Sequence, residues 1–170
     1  KRSNEFIKIG GRFLENVNKI LNNPKYKSLL NELNELEINR EFCNHTLEHF
    51  LDVARIAYIT VLEKGLRYNK EVIYSIALLH DIGRVLQYNE GIDHHKGSAI
   101  IAAEILEDTN FSYADKALII KCIKEHRKES DDELSKIIYK SDKLSRNCFN
   151  CKSYNDCYWD ENKKNKIIIL

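Results

Sequence analysis

Apolar residues recur every three or four positions along most of the chain, which is the spacing of an amphipathic α-helix. The first run of this kind covers residues 6–20, and a second run covers residues 26–36. Proline is well placed at the first position of a helix, so Pro24 indicates where the second helix begins. The pattern therefore predicts two consecutive helices in the N-terminal part of the chain.

A third run, residues 43–64, is apolar on almost every side and ends at Gly65. A helix without a polar face is normally buried, so we expect this one at the centre of the fold. The same periodicity predicts further helices, separated by short polar segments, over residues 71–88, 94–107, 113–128 and 132–146. The periodicity stops after residue 146, and we interpret the following segment, rich in cysteine and aromatic residues, as a loop.

Length and composition agree with one all-α domain. The 170 residues suffice for one domain with a real core, and 1 Pro and 6 Gly are too few for the many turns of a β-sandwich. We interpret residues 1–41 as N-terminal helices that pack on the core. Residues 42–146 would form the core itself, and residues 147–170 a short cysteine-rich appendage and tail.

The charge balance restricts the partners that we expect. The 27 Lys and Arg residues are matched by 26 Asp and Glu, so no global basic field exists to hold a nucleic-acid polymer or an anionic membrane. A small-molecule partner is the better expectation. No stretch approaches the roughly 20 apolar residues of a membrane span, and the amino end lacks a signal-type apolar block. We therefore expect a soluble, cytoplasmic protein.

Several predicted helices carry a titratable side chain on the face that should point into the core, namely His49, His80, His126 and Asp142. Burying an imidazole or a carboxylate costs free energy unless the group is paired, and a shared metal ion satisfies several such groups at once. Asp81, directly after His80, adds a second carboxylate. The alternative for each residue alone is a hydrogen-bonded core position, and Asp142 has the further alternative of pairing with Arg84 or Arg55. Together these residues indicate a mixed nitrogen and oxygen site, which suits Fe, Mn, Co, Ni or Mg.

The order His49, then His80 and Asp81, then Asp142 resembles the H…HD…D signature of the HD-domain metal-dependent phosphohydrolases. The resemblance covers residues 42–146 and implies an all-α HD-domain helical bundle with its metal site between helices. It also implies that these four residues bind one divalent metal. Asp81 would bridge to a second ion, because His94 and His126 resemble the additional histidines of binuclear members.

Two neighbouring histidines leave alternatives open. The family spacing selects His94, whereas a helical wheel places His95 nearer the buried centre. His45 lies one turn before His49 and competes with it as the first ligand. The pattern H-x-L-x-V-A that begins at His49 favours His49, so we expect His45 to support the ligands or to lie at the edge of the site.

The resemblance implies hydrolysis of a phosphate ester or anhydride of a small molecule, with a nucleotide as the first expectation, by hydroxide generated at one or two divalent ions. Asp81 would take part in catalysis. Arg84 and Lys143 are the first candidates to balance negative charge on the phosphoryl oxygens, and Lys96 and Arg127 are further ones. Solvated surface charge is the alternative for each cation. A mixed-valence di-iron oxygenase and a non-catalytic, metal-stabilised regulatory module remain alternative functions.

Three cysteines, Cys148, Cys151 and Cys157, lie close together in the C-terminal loop with the spacing C-x2-C-x5-C. A structural metal normally needs four ligands, and the fourth would be Cys43, Cys122 or a histidine. We favour Cys43 because it begins the predicted helix that carries His49. The spacing is compatible with Zn or an iron–sulfur cluster, and the alternative is a set of free thiols in a loop held by aromatic side chains.

Overall fold

The computed structural model describes residues 13–127 and 130–170, and every statement about structure below concerns these residues. Their helices are α1 (Glu15–Asn22), α2 (Pro24–Leu36), α3 (Leu47–Glu63), α4 (Lys70–Leu79), α5 (Arg84–Glu90), α6 (His94–Ile105), α7 (Tyr113–Glu125) and α8 (Glu133–Leu144). The described residues contain no β-strand, so the all-α prediction is confirmed. The predicted helical positions before residue 13 and position 128 lie outside the described residues.

Side-chain caps explain where most helices begin. The first backbone N–H groups of a helix lack an intrahelical partner, and a short polar side chain just before the helix accepts a hydrogen bond from one of them. Asn23 caps α2 in this way, and Pro24 follows as the first residue of the helix, as the sequence predicts. The same role is played at α3, α4, α7 and α8 by Thr46, Asn69, Ser112 and Asp132.

The third predicted helix begins later than its apolar pattern suggests. The structure begins α3 at Leu47, because the side chain of Thr46 accepts a hydrogen bond from the backbone N–H of His49 and thereby marks the first turn. Cys43 and His45 therefore precede the helix. As predicted, α3 is central, and it packs against both α4 and α8.

The prediction of a single helix over residues 71–88 is wrong. The structure has two helices there, α4 and α5, separated by a turn at residues 80–83. In this turn the backbone N–H of Arg84 donates to the carbonyl of Asp81, a tighter bond than that of an α-helix. Ile82 and Val85 are buried like the residues before them, so the apolar pattern continues through the turn and conceals it. The turn places His80 and Asp81 between helices.

Gly83 ends this turn at a point where two backbones come close together. A Cβ atom on Gly83 would lie 2.0 Å from the backbone nitrogen of Ser98 and 2.5 Å from the carbonyl oxygen of His94. The backbone N–H of Gly83 donates to the Ser98 hydroxyl at 2.9 Å. Only glycine allows α6 to approach this closely, and the contact brings the first residue of α6, His94, beside Asp81.

A continuous apolar core surrounds the site. Its fully buried side chains come from nearly every helix and include Leu33, Phe50, Ile76, Ile105 and Ile138. Among the described residues, no helix combines the length and the apolar character needed to cross a lipid bilayer. The core thus fixes α3, α4, α6, α7 and α8 around a small set of buried polar groups.

Candidate metal centre

The six residues that the sequence places at a metal site lie together in the structure. His49 lies in the first turn of α3, His80 and Asp81 in the turn after α4, and His94 at the start of α6. The remaining residues are His126, directly after α7, and Asp142 on α8. All six side chains are buried. Segments far apart in the sequence therefore converge at one place.

These residues form two groups that share Asp81. One comprises His49, His80, Asp81 and Asp142, and the other comprises Asp81, His94 and His126. Within each group, one donor atom from every residue lies within 4.8 Å of the others. This is the arrangement expected of two ions bridged by one carboxylate.

The shortest distances run between carboxylate oxygens and imidazole Nε2 atoms. Asp81 Oδ1 lies 3.5 Å from Nε2 of both His94 and His126. Asp81 Oδ2 lies 3.5 Å from Nε2 of His80. Asp142 Oδ1 lies 3.3 Å from Nε2 of His49 and 3.8 Å from Nε2 of His80. His80 thus lies near both carboxylates, at 3.5 Å from Asp81 and 3.8 Å from Asp142.

Hydrogen bonds on the far side of the rings set the orientation of the histidines. Nδ1 of His80 lies 2.7 Å from the carbonyl oxygen of Ala77, and Nδ1 of His126 lies 2.6 Å from that of Ile123. A carbonyl only accepts, so Nδ1 of each ring carries a proton and Nε2 faces the site. Metal-binding histidines are oriented by partners of this kind.

His49 is held in the same orientation by a hydroxyl group. The Ser145 hydroxyl donates its proton to the carbonyl oxygen of Asp142 at 2.7 Å. Nδ1 of His49, 3.1 Å from that hydroxyl oxygen, must therefore donate to it. The Nε2 atom of His49 is left with a lone pair facing Asp142.

Unpartnered buried atoms show that a divalent metal fits this centre. His80 Nε2, Asp81 Oδ1 and Asp142 Oδ1 are buried and form no hydrogen bond. A buried polar atom without a partner costs free energy, and these three atoms all face the cluster. Imidazole nitrogens and carboxylate oxygens are ligands for first-row divalent metals. The donor set and its unsatisfied atoms thus match a metal site.

The protonation states of Asp81, His49 and His94 also suit metal ligands. Burial opposes the charge on Asp81, but His80, His126 and Arg84 outweigh burial and hold the pKa of this carboxyl well below its ordinary value. Burial lowers the pKa of His49 to about 4 and that of His94 to about 3. Near neutral pH the carboxylate is ionised and both imidazoles are neutral, which are the forms that bind metal.

Comparison with known proteins agrees with this geometry. The family model for the HD domain matches residues 46–147, which contain all six residues of the cluster. The chain belongs to the HD domain family. Members of this family are typically metal-dependent hydrolases, and HD domains bind divalent metals.

Relatives of this HD domain include proteins of very different length. An uncharacterised protein of Clostridium beijerinckii is 42% identical over 152 residues, which are 89% of this chain and 97% of that protein. Ribonuclease Y of Mycoplasma mycoides subsp. mycoides is 27% identical over 119 residues, 69% of this chain. The alignment spans only 21% of the length of that ribonuclease.

A solved structure supports the fold of the HD domain. The crystal structure of a predicted HD superfamily hydrolase from an uncultured Thermotogales bacterium superposes with a TM-score of 0.59. The match covers 83% of this chain and 82% of that one, at 24% sequence identity. The similarity is evidence for the fold alone.

The geometry distinguishes between the two adjacent histidines of α6. His94 is buried, and its Nε2 lies 3.5 Å from Asp81 Oδ1. His95 is only half-buried and belongs to neither of the two donor groups. We call these two groups together the HD centre. The fold therefore turns His94 inward, which is the residue that the family spacing selects. His95, which the helical wheel favours, is not turned inward.

The candidate cations fall into two classes. Arg84 Nε lies 3.2 Å from Asp81 Oδ1, and Lys143 Nζ donates to Asp142 Oδ2 at 2.7 Å. Both therefore contact carboxylates of the HD centre. Lys96 and Arg127 instead lie near Asp93, at 3.1 and 4.0 Å, with largely exposed side chains. The structure thus separates Arg84 and Lys143 from the other two.

Arg146 contacts the HD centre, although it is not among the residues selected from the sequence. Its Nη2 lies 3.0 Å from Nε2 of His49 and 3.5 Å from Asp142 Oδ1. The guanidinium thus donates to the nitrogen that would hold a metal, so metal binding by His49 requires Arg146 to move. Its position four residues after Asp142, on the same side of the chain, is the signal that could have identified it.

His45 and Glu37 form a buried pair behind Asp81. Nε2 of His45 lies 3.4 Å from Asp81 Oδ2, and Nδ1 of His45 lies 2.7 Å from Glu37 Oε1. Tyr88 also donates to Glu37, at 2.7 Å. His45 is thus buried against Asp81 and supports it. Glu37 was missed because nothing in the sequence distinguishes it from Glu41, the other acidic residue between α2 and α3.

Glu37→Gln is expected to destabilise the metal-free protein by about 1–3 kcal/mol near neutral pH, since it weakens charged hydrogen bonds in a buried place. Burial opposes the charge on Glu37, but hydrogen bonds from His45 and Tyr88 lower its pKa to about 2, against an ordinary 4.5. The stabilisation is therefore complete above pH 4.5 and is lost as the pH falls towards 2. Urea unfolding at a series of pH values measures the difference.

The exposed Glu35, two residues away, provides the matched control. Glu35→Gln should unfold like the wild type at every pH. A difference between wild type and Glu37→Gln that stayed constant from pH 6 to pH 3 would contradict the assigned interaction.

Proposed function

We propose that this HD domain is a metal-dependent phosphohydrolase that acts on a small phosphorylated molecule, with a nucleotide as the substrate class to test first. The observation that carries the proposal is the pair of donor groups sharing Asp81, with three buried atoms that lack hydrogen bonds. Divalent metals held there would supply a Lewis acid and make hydroxide available near neutral pH.

The chain's own residues would orient the ligands and provide positive charge. The carbonyls of Ala77 and Ile123 hold the imidazoles of His80 and His126 in fixed positions, so these two ligands need little reorganisation on binding. Arg84 and Lys143 lie on the carboxylates of the centre. There they would balance the negative charge that develops on the phosphoryl oxygens during displacement.

RNA is a second candidate substrate, and the similarity to ribonuclease Y favours it. The bond cleaved in RNA would be a phosphodiester, and the same centre could hydrolyse it. The near balance of 27 basic and 26 acidic residues favours a small substrate instead, because polymers are normally held by an extended basic surface. The aligned segment also spans only 21% of the length of that ribonuclease.

A panel of substrates and metals tests the proposal. Purified protein loaded with Mn, Co, Ni, Fe or Mg would be incubated with nucleotides, cyclic nucleotides, dinucleoside polyphosphates and a short RNA, with His80→Ala as the inactive control. We expect metal-dependent phosphoester hydrolysis of a nucleotide. Oxygen uptake with iron and no hydrolysis would indicate an oxygenase. Bound metal without any turnover would indicate a regulatory module, and either result would overturn the proposal.

Lys143→Met is expected to lower kcat by about tenfold to a hundredfold, with the metal content unchanged, since it removes a cation beside the reacting phosphate. Steady-state kinetics and metal analysis on the same preparation measure both quantities. Lys140→Met, on the same helix, is the control and should retain wild-type kcat. Equal kcat in the two variants would show that Lys143 is only a solvated surface charge.

A further inference from the structure

The C-terminal segment, residues 147–170, has little to hold it in place by ordinary packing. None of its 24 residues is buried as a whole, although the side chain of Lys164 is only 6% exposed. Its only regular element is a three-residue 3-10 turn at Cys148–Asn150. Its attachment includes hydrogen bonds from the Asn165 side chain to the carbonyls of Lys143 and Arg146, at 2.7 and 2.8 Å. Segments too small to bury a core are usually stabilised by disulfides or a structural metal.

The fold brings a fourth cysteine to the three cysteines of this segment. Cys43, Cys148 and Cys151 line one cavity of about 310 Å³. Phe42 and Tyr158, the chain neighbours of Cys43 and Cys157, pack their rings edge to face at 6.1 Å. Residues more than a hundred positions apart in the sequence therefore meet at the start of α3.

The backbone at Cys43 also indicates a requirement for its side chain. Among the described residues other than glycine, Cys43 alone has a positive φ, 44°. This conformation is unfavourable for a side chain with a Cβ, and such residues concentrate at ligand sites. Arg146 donates to the carbonyl of Asn44 at 3.2 Å and Ser153 to that of Glu41 at 3.3 Å, so the segment is held from both sides.

We propose that Cys43, Cys148, Cys151 and Cys157 bind one Zn²⁺ through four thiolates and thereby fasten the C-terminal segment to the start of α3. The C-x2-C spacing of Cys148 and Cys151 is typical of structural zinc sites, which are tetrahedral and closed. The remaining cysteine, Cys122, is fully buried on α7 and accepts a hydrogen bond from Ser135, so it is not part of the site.

Zinc binding would draw the four sulfurs closer together than the structure has them. Among the described residues, the donor atoms gathered within 4.8 Å of one another belong to the two histidine and aspartate groups, not to the cysteines. Four Zn–S bonds of about 2.3 Å require closer spacing. Cys151 is exposed, so rotation of its side chain and a small movement of the loop can supply the change.

The cysteine site and the HD centre are chemically distinct. One has only sulfur donors and the other only nitrogen and oxygen donors, so they prefer different metals. Arg146 connects them in space, since it contacts His49 and lines the cavity beside the cysteines. The zinc proposal stands whether or not the HD centre hydrolyses phosphoesters.

Metal analysis of the full chain purified under reducing conditions tests the zinc site. We expect about one zinc ion per chain that is lost in Cys148→Ser/Cys151→Ser and retained in Cys122→Ala. As a second measurement, Co²⁺ added to metal-free wild type should give thiolate charge-transfer and tetrahedral d–d absorption bands, and the double variant should give neither. Circular dichroism of the double variant should show unchanged helix content, because Cys148 and Cys151 lie outside the eight α-helices.

Three results would overturn the proposal. Wild-type protein that holds no zinc and gives no thiolate bands with Co²⁺ would exclude the site. Disulfides between these cysteines, detected by mass spectrometry, would show that disulfide bonds rather than zinc stabilise the C-terminal segment. Iron together with acid-labile sulfide would replace zinc with an iron–sulfur cluster.

Discussion

Asp81→Asn is expected to abolish metal retention by the HD centre and to lower phosphohydrolase turnover at least about a thousandfold. Asp81 is the residue common to both donor groups, so its replacement removes a ligand from each. Asparagine keeps the size of the side chain, and the helices should remain folded. Metal content per chain and kcat, measured on protein loaded with Mn²⁺, give the result.

Asp93 offers the matched control for this substitution. It lies just before α6, beside the centre in sequence, but its exposed carboxylate pairs with Lys96 and belongs to neither donor group. Asp93→Asn should therefore retain metal and activity. If Asp81→Asn bound as much metal as Asp93→Asn, the assignment of Asp81 as the shared ligand would be wrong.

Gly83→Ala is expected to destabilise the protein by about 3 kcal/mol or more and to weaken metal binding at the same time. The added Cβ would lie 2.0 Å from the backbone nitrogen of Ser98 and 2.4 Å from the carbonyl carbon of Gly97, and backbone atoms cannot rotate away. The turn and α6 must separate, which moves His94 away from Asp81. Urea unfolding and metal titration measure the two effects.

Gly91→Ala separates the crowding at Gly83 from the general cost of replacing glycine. Gly91 has φ 72° and no atom within 4 Å of an added Cβ, so alanine there introduces only backbone strain of about 1 kcal/mol. It should leave metal binding unchanged. If Gly83→Ala were no more destabilised than Gly91→Ala, the close approach of the turn to α6 would not matter for the centre.

The fold class was predictable from the chain because helical periodicity is a local property. Each helix shows its apolar face in its own sequence, and caps such as Asn23 and Thr46 lie next to the residues that they serve. The break at residues 80–83 was not predictable from periodicity, because it depends on the contact of Gly83 with Ser98 on another helix.

The cluster itself was predictable in outline. Inward-facing histidines and aspartates indicated a shared site, and the resemblance to HD domains ordered them into ligands. The structure brings all six together, while their coordination of a metal stays a prediction. Glu37 could not be found in this way, because it acquires its role only through its contact with His45. Arg146 lies one turn after Asp142, but its contact with His49 depends on the fold.

A crystal structure of the Mn²⁺-loaded protein, with an anomalous difference map, tests the central claim most directly. We predict two peaks on either side of Asp81, one beside His49, His80 and Asp142 and the other beside His94 and His126. Mn²⁺ prefers nitrogen and oxygen to thiolate ligands, so no peak should appear at the cysteines. Peaks elsewhere, or no ordered ion among these six residues, would contradict the account.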